Sequence, residues 1–244
     1  QEILDLHLAH SEMPSPTTLL ELAAIAEDAA RAVAGVTNTE GAGSSAGKSA
    51  ITLASSAGFA GGYLATNFGI SVSVVAGSGT QMERDYDYCS ARHFSDLEPA
   101  SDIGQRAGER AIRRLNPRKA RSQQVPVVFD PRLSGGFPRI LAGLISGAAI
   151  SRGTSILKDK MNERVFATNI EIIDDPLRER GLSSRPFDGE GVRGESRKIV
   201  KDGVLTTWLL DTRSARQLKL RSTGHASRGT SSPPSPGPTN LYMS

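Results

Sequence analysis

Hydrophobic residues beyond Pro14 recur at helical spacing. Leu19, Leu22, Ala23, Ala26, Ala29, Ala30 and Val33 share one face, which predicts an amphipathic helix. Ser15 or Thr17 can cap its start, Pro16 suits its first turn, and Gly35 ends it. From Gly41 the period drops to two. Ile51, Leu53 and Ser55 alternate with small polar neighbours, as do Ile70, Val72 and Val74, and then Met82, Arg84, Tyr86 and Tyr88. Gly58, Gly61-Gly62 and Gly77-Ser78-Gly79 read as turns. The pattern predicts an antiparallel meander of three or four strands.

A second helix is expected from about Ala100 to Leu115, stopped by Asn116-Pro117. Val125 to Phe129 reads as a short apolar strand, Leu133 to Leu157 as mostly helical, and Val165 to Ile173 as strand. Arg197 to Leu210 predicts a hairpin turned at Asp202-Gly203. Alternation there puts Trp208 with Thr206 and Leu210 on one face, and Leu205, Thr207 and Leu209 on the other. Both faces carry apolar residues, so the strand should be covered on both sides, at least in part. A short helix follows from Ser214 to Leu220. Ser222 to Ser244 holds Pro233, Pro234, Pro236 and Pro238 and few large apolar side chains. It is expected to be extended, without regular secondary structure, and held only by the main body or a neighbouring chain. Helices and hairpins in separate blocks indicate an α+β fold rather than a doubly wound sheet. The expected segments are 1–39 (helical), 40–98 (meander), 99–221 (α+β core) and 222–244 (tail).

Composition changes this picture little. Of 244 residues, 38% are hydrophobic, and the shortfall sits in the tail. A net charge of +3 is too mild to mark a nucleic-acid binder. The densest basic run begins Arg106, Arg110, Arg113 and Arg114 at helical spacing, which suggests a solvated helix face. The single cysteine, Cys89, cannot form an internal disulfide. Gln1 to Leu8 shows no leader pattern, and no apolar run reaches membrane-span length. A cytoplasmic protein without membrane or nucleic-acid partners is the expectation.

The candidate chemistry is sparse. Ala42-Gly43-Ser44-Ser45-Ala46-Gly47-Lys48-Ser49 fits a relaxed phosphate-loop pattern, with Lys48 for the terminal phosphates and Ser49 for magnesium. Such a loop needs a buried strand before it and a helix after it. Thr37 to Glu40 supplies no such strand, and Gly58, Gly61 and Gly62 oppose the helix, so a glycine-serine turn into a sheet is the better reading. His7 and His10 are spaced like metal ligands but lack a third, so they read as solvated. His93 and His225 are lone loop histidines. Asp174-Asp175 and Asp188-Gly189-Glu190 read as solvated turn acids. No nucleophile elbow is present.

Several stretches resemble the PmbA/TldE proteins of the TldD/PmbA metalloprotease family, also labelled modulators of DNA gyrase. They are Asn38-Thr39-Glu40-Gly41-Ala42, Met82-Glu83-Arg84-Asp85-Tyr86-Asp87-Tyr88, Pro186-Phe187-Asp188-Gly189-Glu190-Gly191-Val192 and the run from Asp202 to Arg216. Ser222-Thr223-Gly224-His225-Ala226 and Pro238-Thr239-Asn240 extend the similarity. The resemblance implies a cytosolic system of two related subunits acting on peptides. In the TldD type a helix carries an H-E-x-x-x-H zinc motif, and a zinc-bound water attacks the peptide carbonyl. The matching segment here is Ile140 to Gly147, where Ala142, Gly143 and Gly147 stand in place of the two histidines and the glutamate.

The resemblance therefore implies a TldE-type subunit with no metal or catalytic residues of its own. Zinc is expected in a TldD-type partner, or else the chain forms a homo-oligomer. It also implies that the family's N-terminal domain and C-terminal segment are absent from this chain. His225 and Arg228, the best hydrogen-bonding side chains of the tail, are the candidates for lining a peptide passage. The rivals are a peptide-binding scaffold without protease activity and a nucleotide hydrolase built on Lys48.

Overall fold

The structure, a computed structural model, describes residues 3–244. In chain order its elements are α1 (Pro16–Arg31), β1 (Val36–Ala54), β2 (Ala60–Ala76), β3 (Glu83–Ala91) and α2 (Ala100–Arg114). There follow α3 (Pro131–Ser134), α4 (Gly136–Leu144), α5 (Gly147–Ser151), β4 (Ile172–Asp174), β5 (Arg197–Lys201) and β6 (Val204–Leu205). The chain ends with α6 (Thr212–Gln217), β7 (Ala226–Ser227), β8 (Ser235–Pro236) and β9 (Leu241–Met243). Helices combine with antiparallel sheets in an α+β fold. The chain forms two compact units, one of residues 8–49 and 64–125, the other of 1–7, 50–63 and 126–244. Two of the boundaries, 49/50 and 63/64, fall inside β1 and β2.

In the first unit, three strands lie in the order β1-β2-β3, with β2 and β3 antiparallel. Ile70, Val72 and Val74 alternate inward and meet Ala26 and Ala30 of α1 and Ile103, Ala107 and Ala111 of α2. The Ser15 hydroxyl caps α1 by accepting from the Thr18 N–H at 3.0 Å, with Pro16 in the first turn. Small residues let the two helices close up: a Cβ on Gly104 would lie 2.1 Å from the Ala26 carbonyl oxygen.

The phosphate-loop candidate lies within β1. Residues 41–49 are extended strand and Lys48 is exposed, so no loop cradles a phosphate and no helix follows it. This removes the structural basis of the nucleotide-hydrolase reading. Gly61-Gly62 likewise lies inside β2 rather than in a turn.

The basic face of α2 also differs from expectation. Arg106 donates to the buried Asp87 at 2.7 Å through Nε, and Arg110 donates to it at 2.5 Å through Nη1. Arg114 lies 3.5 Å from Glu83 and 3.6 Å from Asp85. Acids at every second residue of β3 thus meet arginines at every fourth residue of α2, because the two repeats advance by similar distances. The hydrogen bond from Arg106 to Asp87 holds the guanidinium pKa above its ordinary value.

The second unit is built around a sheet of order β6-β5-β4-β9. Its core joins Leu141, Ala142 and Ile145 to Ile172, Ile199, Val200, Leu205 and Leu209. Asp202 and Gly203 take φ of 50° and 78°, as a two-residue hairpin turn requires. Gly203 is also obligatory because a Cβ would come 2.4 Å from the Phe166 carbonyl oxygen.

Beyond Leu205 the expected alternation stops. Leu209 and Leu210 are both buried, and Leu209 forms a bridge with Ser146 instead. Trp208 is half-buried against the same core. Residues 125–129 form no strand and stay exposed, and of the strand expected over 165–173 only Ile172–Asp174 is regular, with Asp174 beyond its expected end. The tail has more regular structure than expected. β9 pairs with β4, Ile172 opposite Met243, and β7 pairs with β8. Its few large apolar residues, Leu241 to Met243, are the ones that join the sheet. Among the described residues no helix is long and apolar enough to cross a membrane.

Candidate functional site

A cleft of about 510 Å³ opens in the second unit. Ile51 to Ala54 at the end of β1 and Tyr63 on β2 form one part of its wall. Arg185, Phe187, Asp188 and Gly189 form another, and Ser227 to Thr230 a third. Phe187 is held by edge-to-face contacts with Phe59 and Tyr63, at ring-centroid distances of 4.8 and 5.4 Å.

Asp188 organises this wall. One carboxylate oxygen accepts from the Glu190 and Val192 N–H groups, both at 2.9 Å, and the other accepts from the Ala226 N–H at 3.0 Å. Its 2% exposure corrects the reading of this residue as a solvated turn acid. The loop from Asp188 to Val192 is thereby tied to the start of the tail. Gly189 allows the tail to lie close, since a Cβ there would sit 2.9 Å from Cγ of Arg228.

Behind the cleft lies a second buried acid. Asp174 is fully buried and accepts from the Thr239 N–H at 2.7 Å and the Thr239 hydroxyl at 2.5 Å. Nε2 of His225 is 3.1 Å from the same carboxylate, and Nδ1 is 2.8 Å from the Thr223 hydroxyl. The Asp174 carboxylate accepts, so Nε2–H is the donor in that contact. Burial alone would raise the Asp174 pKa, but the hydrogen bonds from His225 and Thr239 outweigh it and the pKa is lowered.

Thr223, His225 and Asp174 have the connectivity of a nucleophile–base–acid relay. Their burial argues against that use: His225 is 1% exposed and Thr223 9%. The Thr223 oxygen also accepts the Leu210 N–H at 2.7 Å. The network binds the tail to β4 and to the segment after β6.

Of the two residues expected along a peptide passage, Arg228 lines the cleft and His225 lies in the core with both ring nitrogens engaged. Ala142 is in α4, buried in the core of the second unit. Gly143 is exposed, with open space where a Cβ would be. Gly147 begins α5 and is crowded: a Cβ would meet the Ser214 Oγ at 2.4 Å and Leu210 Cδ2 at 2.7 Å. α4 ends at Leu144, so positions 142 and 147 do not share one continuous helix.

None of the three carries a donor atom, and no group of three or more His, Cys, Asp or Glu suited to a metal occurs among the described residues. These residues do not fit a zinc ion. His10, expected to be solvated, is instead half-buried in the first unit, its Nδ1 3.3 Å from that of His93 and its ring against Phe68. Two imidazoles alone are short of a metal's ligand set.

Sequence reasoning missed Arg185 and Tyr63 altogether and read Asp174 and Asp188 as exposed. No local signal distinguishes these acids, because their partners are backbone N–H groups and side chains up to 65 residues away.

The chain is thus an α+β protein whose break between α4 and α5, at Ala142, Gly143 and Gly147, carries no side-chain metal donor. Comparison with known proteins gives the family. Residues 9–115 match the PmbA/TldA metallopeptidase central domain, and residues 122–244 the C-terminal domain of the same family. Metalloprotease PmbA of Escherichia coli O157:H7 is 40% identical over 223 residues, which are 91% of this chain and 50% of that protein. A PmbA homolog of Haemophilus influenzae is 34% identical over 223 residues, again 91% of this chain and 49% of the other.

Among solved structures, a Bacteroides thetaiotaomicron protein described as a modulator of DNA gyrase superposes with a TM-score of 0.87 at 26% identity. It covers 100% of this chain and 54% of that one. TldE of Thermococcus kodakarensis shares the fold, with a TM-score of 0.84 at 21% identity over 95% of this chain and 53% of that one. The chain belongs to the PmbA/TldD metallopeptidase family and is of the PmbA/TldE type. It spans about half the length of the curated relatives named above.

Proposed function

We propose that this chain serves as a TldE-type, non-catalytic subunit of a cytoplasmic TldD/TldE metalloprotease, where it helps to bind peptide while a TldD-type partner holds the zinc. The observation that supports this reading is the segment of Ala142, Gly143 and Gly147. It offers neither a metal ligand nor a proton acceptor, and Gly147 is packed against Ser214 and Leu210 too closely for a histidine. A subunit of this kind contributes binding surface rather than chemistry. The cleft beside Arg185 and Arg228 gives such a surface.

The test is co-expression with a TldD-type partner, followed by metal analysis and a peptidase assay on the isolated chain, the isolated partner and the complex. Zinc and activity should require the partner. One zinc per chain held by this chain's own residues would overturn the proposal. Peptide binding without any stable association with such a partner would favour the scaffold alternative instead.

A further inference from the structure

We propose that the cleft of the second unit is a carboxylate-binding site for peptides, with Arg185 as its principal donor and Arg228 as its second. The inference rests on the proposed reading only in taking peptides as the ligands.

Arg185 is half-buried on the cleft wall, and its Nε and Nη2 are closed to solvent without a hydrogen-bond partner among the described residues. A guanidinium does not shed its proton in a protein, so these donors stay charged. Burial pushes the Arg185 pKa down, against the opposing charges of Asp188 and Asp174. Yet the two carboxylates are already engaged elsewhere. Asp188 accepts three backbone N–H groups, and Asp174 accepts from Thr239 twice and from His225. They compensate the charge of Arg185 and leave its hydrogen-bonding fork unfilled. Turned toward the cleft that its side chain lines, that fork fits a planar group with two acceptor oxygens.

The remainder of the cleft narrows the choice of oxyanion. Arg228 lies along Gly189 and brings a second cation to the same cleft. Ile51, Leu53 and Phe187 add apolar surface that suits the chain attached to a carboxylate. Asp188 and Asp174 lie close enough to act on Arg185, and their charge disfavours a doubly charged phosphate more than a singly charged carboxylate. The carboxylate can be a peptide's C-terminus or an acidic side chain.

The experiment uses the intact chain without any partner, so it succeeds or fails independently of the protease-complex proposal. Arginine Nε–H resonances are followed by NMR during titration with four probes. These are acetyl-trialanine with a free C-terminal carboxylate, the same peptide amidated, an amidated acetyl-Ala-Glu-Ala, and inorganic phosphate. The Arg185 signal should shift saturably with the first or third probe and on the order of tenfold more weakly with the neutral amide. The first probe alone would identify a C-terminal site, and the third a side-chain site.

Arg185→Lys should weaken the carboxylate peptide about as much as amidation does, and Arg228→Ala should weaken it less. Equal binding of acid and amide, binding of neither, or preference for phosphate would overturn the inference. Should Arg185→Lys fail to fold, the acid–amide comparison on the unaltered chain still decides.

Discussion

Gly143 and Gly147 flank the break between α4 and α5, and alanine should affect them with opposite signs. At Gly147 a Cβ would lie 2.4 Å from the Ser214 Oγ, 2.7 Å from the Ser214 Cβ and 2.7 Å from Leu210 Cδ2. Ser214 cannot easily retreat. It is buried in the first turn of α6, its N–H donates to the Asp211 carboxylate at 2.7 Å, and its hydroxyl donates there at 2.5 Å. Alanine gains up to about 1 kcal/mol of helix propensity over glycine, while overpacking of a tight interior costs about 1–3 kcal/mol. Contacts this short against a capping residue belong at the upper end, so Gly147→Ala should lose roughly 2 kcal/mol net.

Gly143 is helical and exposed, with nothing within 4 Å of its would-be Cβ. Gly143→Ala should be neutral to about 1 kcal/mol stabilising, at the low end because it lies in the last turn of α4. Urea unfolding of both variants beside the unaltered chain measures the difference. A Gly147→Ala variant as stable as its parent would refute the argument that this position has no space for a larger side chain.

The Asp174 pKa is lowered in the folded chain, so its contribution to stability is complete above the unfolded carboxyl value of about 4 and fades as pH falls through the lower folded value. Asp174→Asn should therefore cost about 3 kcal/mol at pH 7 and less than that below pH about 4, read by thermal unfolding across that range. Gly104→Ala should cost about 3 kcal/mol or more, because the added methyl meets the backbone carbonyl of Ala26 at 2.1 Å and backbone cannot turn aside. A midpoint unchanged in denaturant would show that α1 and α2 are looser than described. Asp87→Ala should destabilise by roughly 3 kcal/mol, since Arg106 and Arg110 lose a shared buried acceptor. Because that charge is buried, the loss should change little between low and high salt, whereas a salt-dependent loss would mark an exposed pair.

Periodicity alone determined the elements whose partners are near in sequence or whose pattern is long. α1, α2 and the inward-facing Ile70, Val72 and Val74 follow from apolar spacing, and the Asp202-Gly203 turn follows from the backbone conformations those residues tolerate. That Ala142, Gly143 and Gly147 carry no metal-donor atom was equally legible, because it depends on which atoms a side chain possesses.

Tertiary structure decided the rest. Gly43 and Gly47 look like loop residues, but β1 carries them as strand because β2 supplies the hydrogen bonds that glycine permits and does not itself favour. Leu241 to Met243 end a segment of proline, serine and glycine, and only pairing with β4 makes them strand. Asp174, Asp188 and Arg185 have the same local context as any turn residue. Their burial arises from donors and charges brought together across the fold, and no pattern along the chain records which distant N–H group a carboxylate will meet.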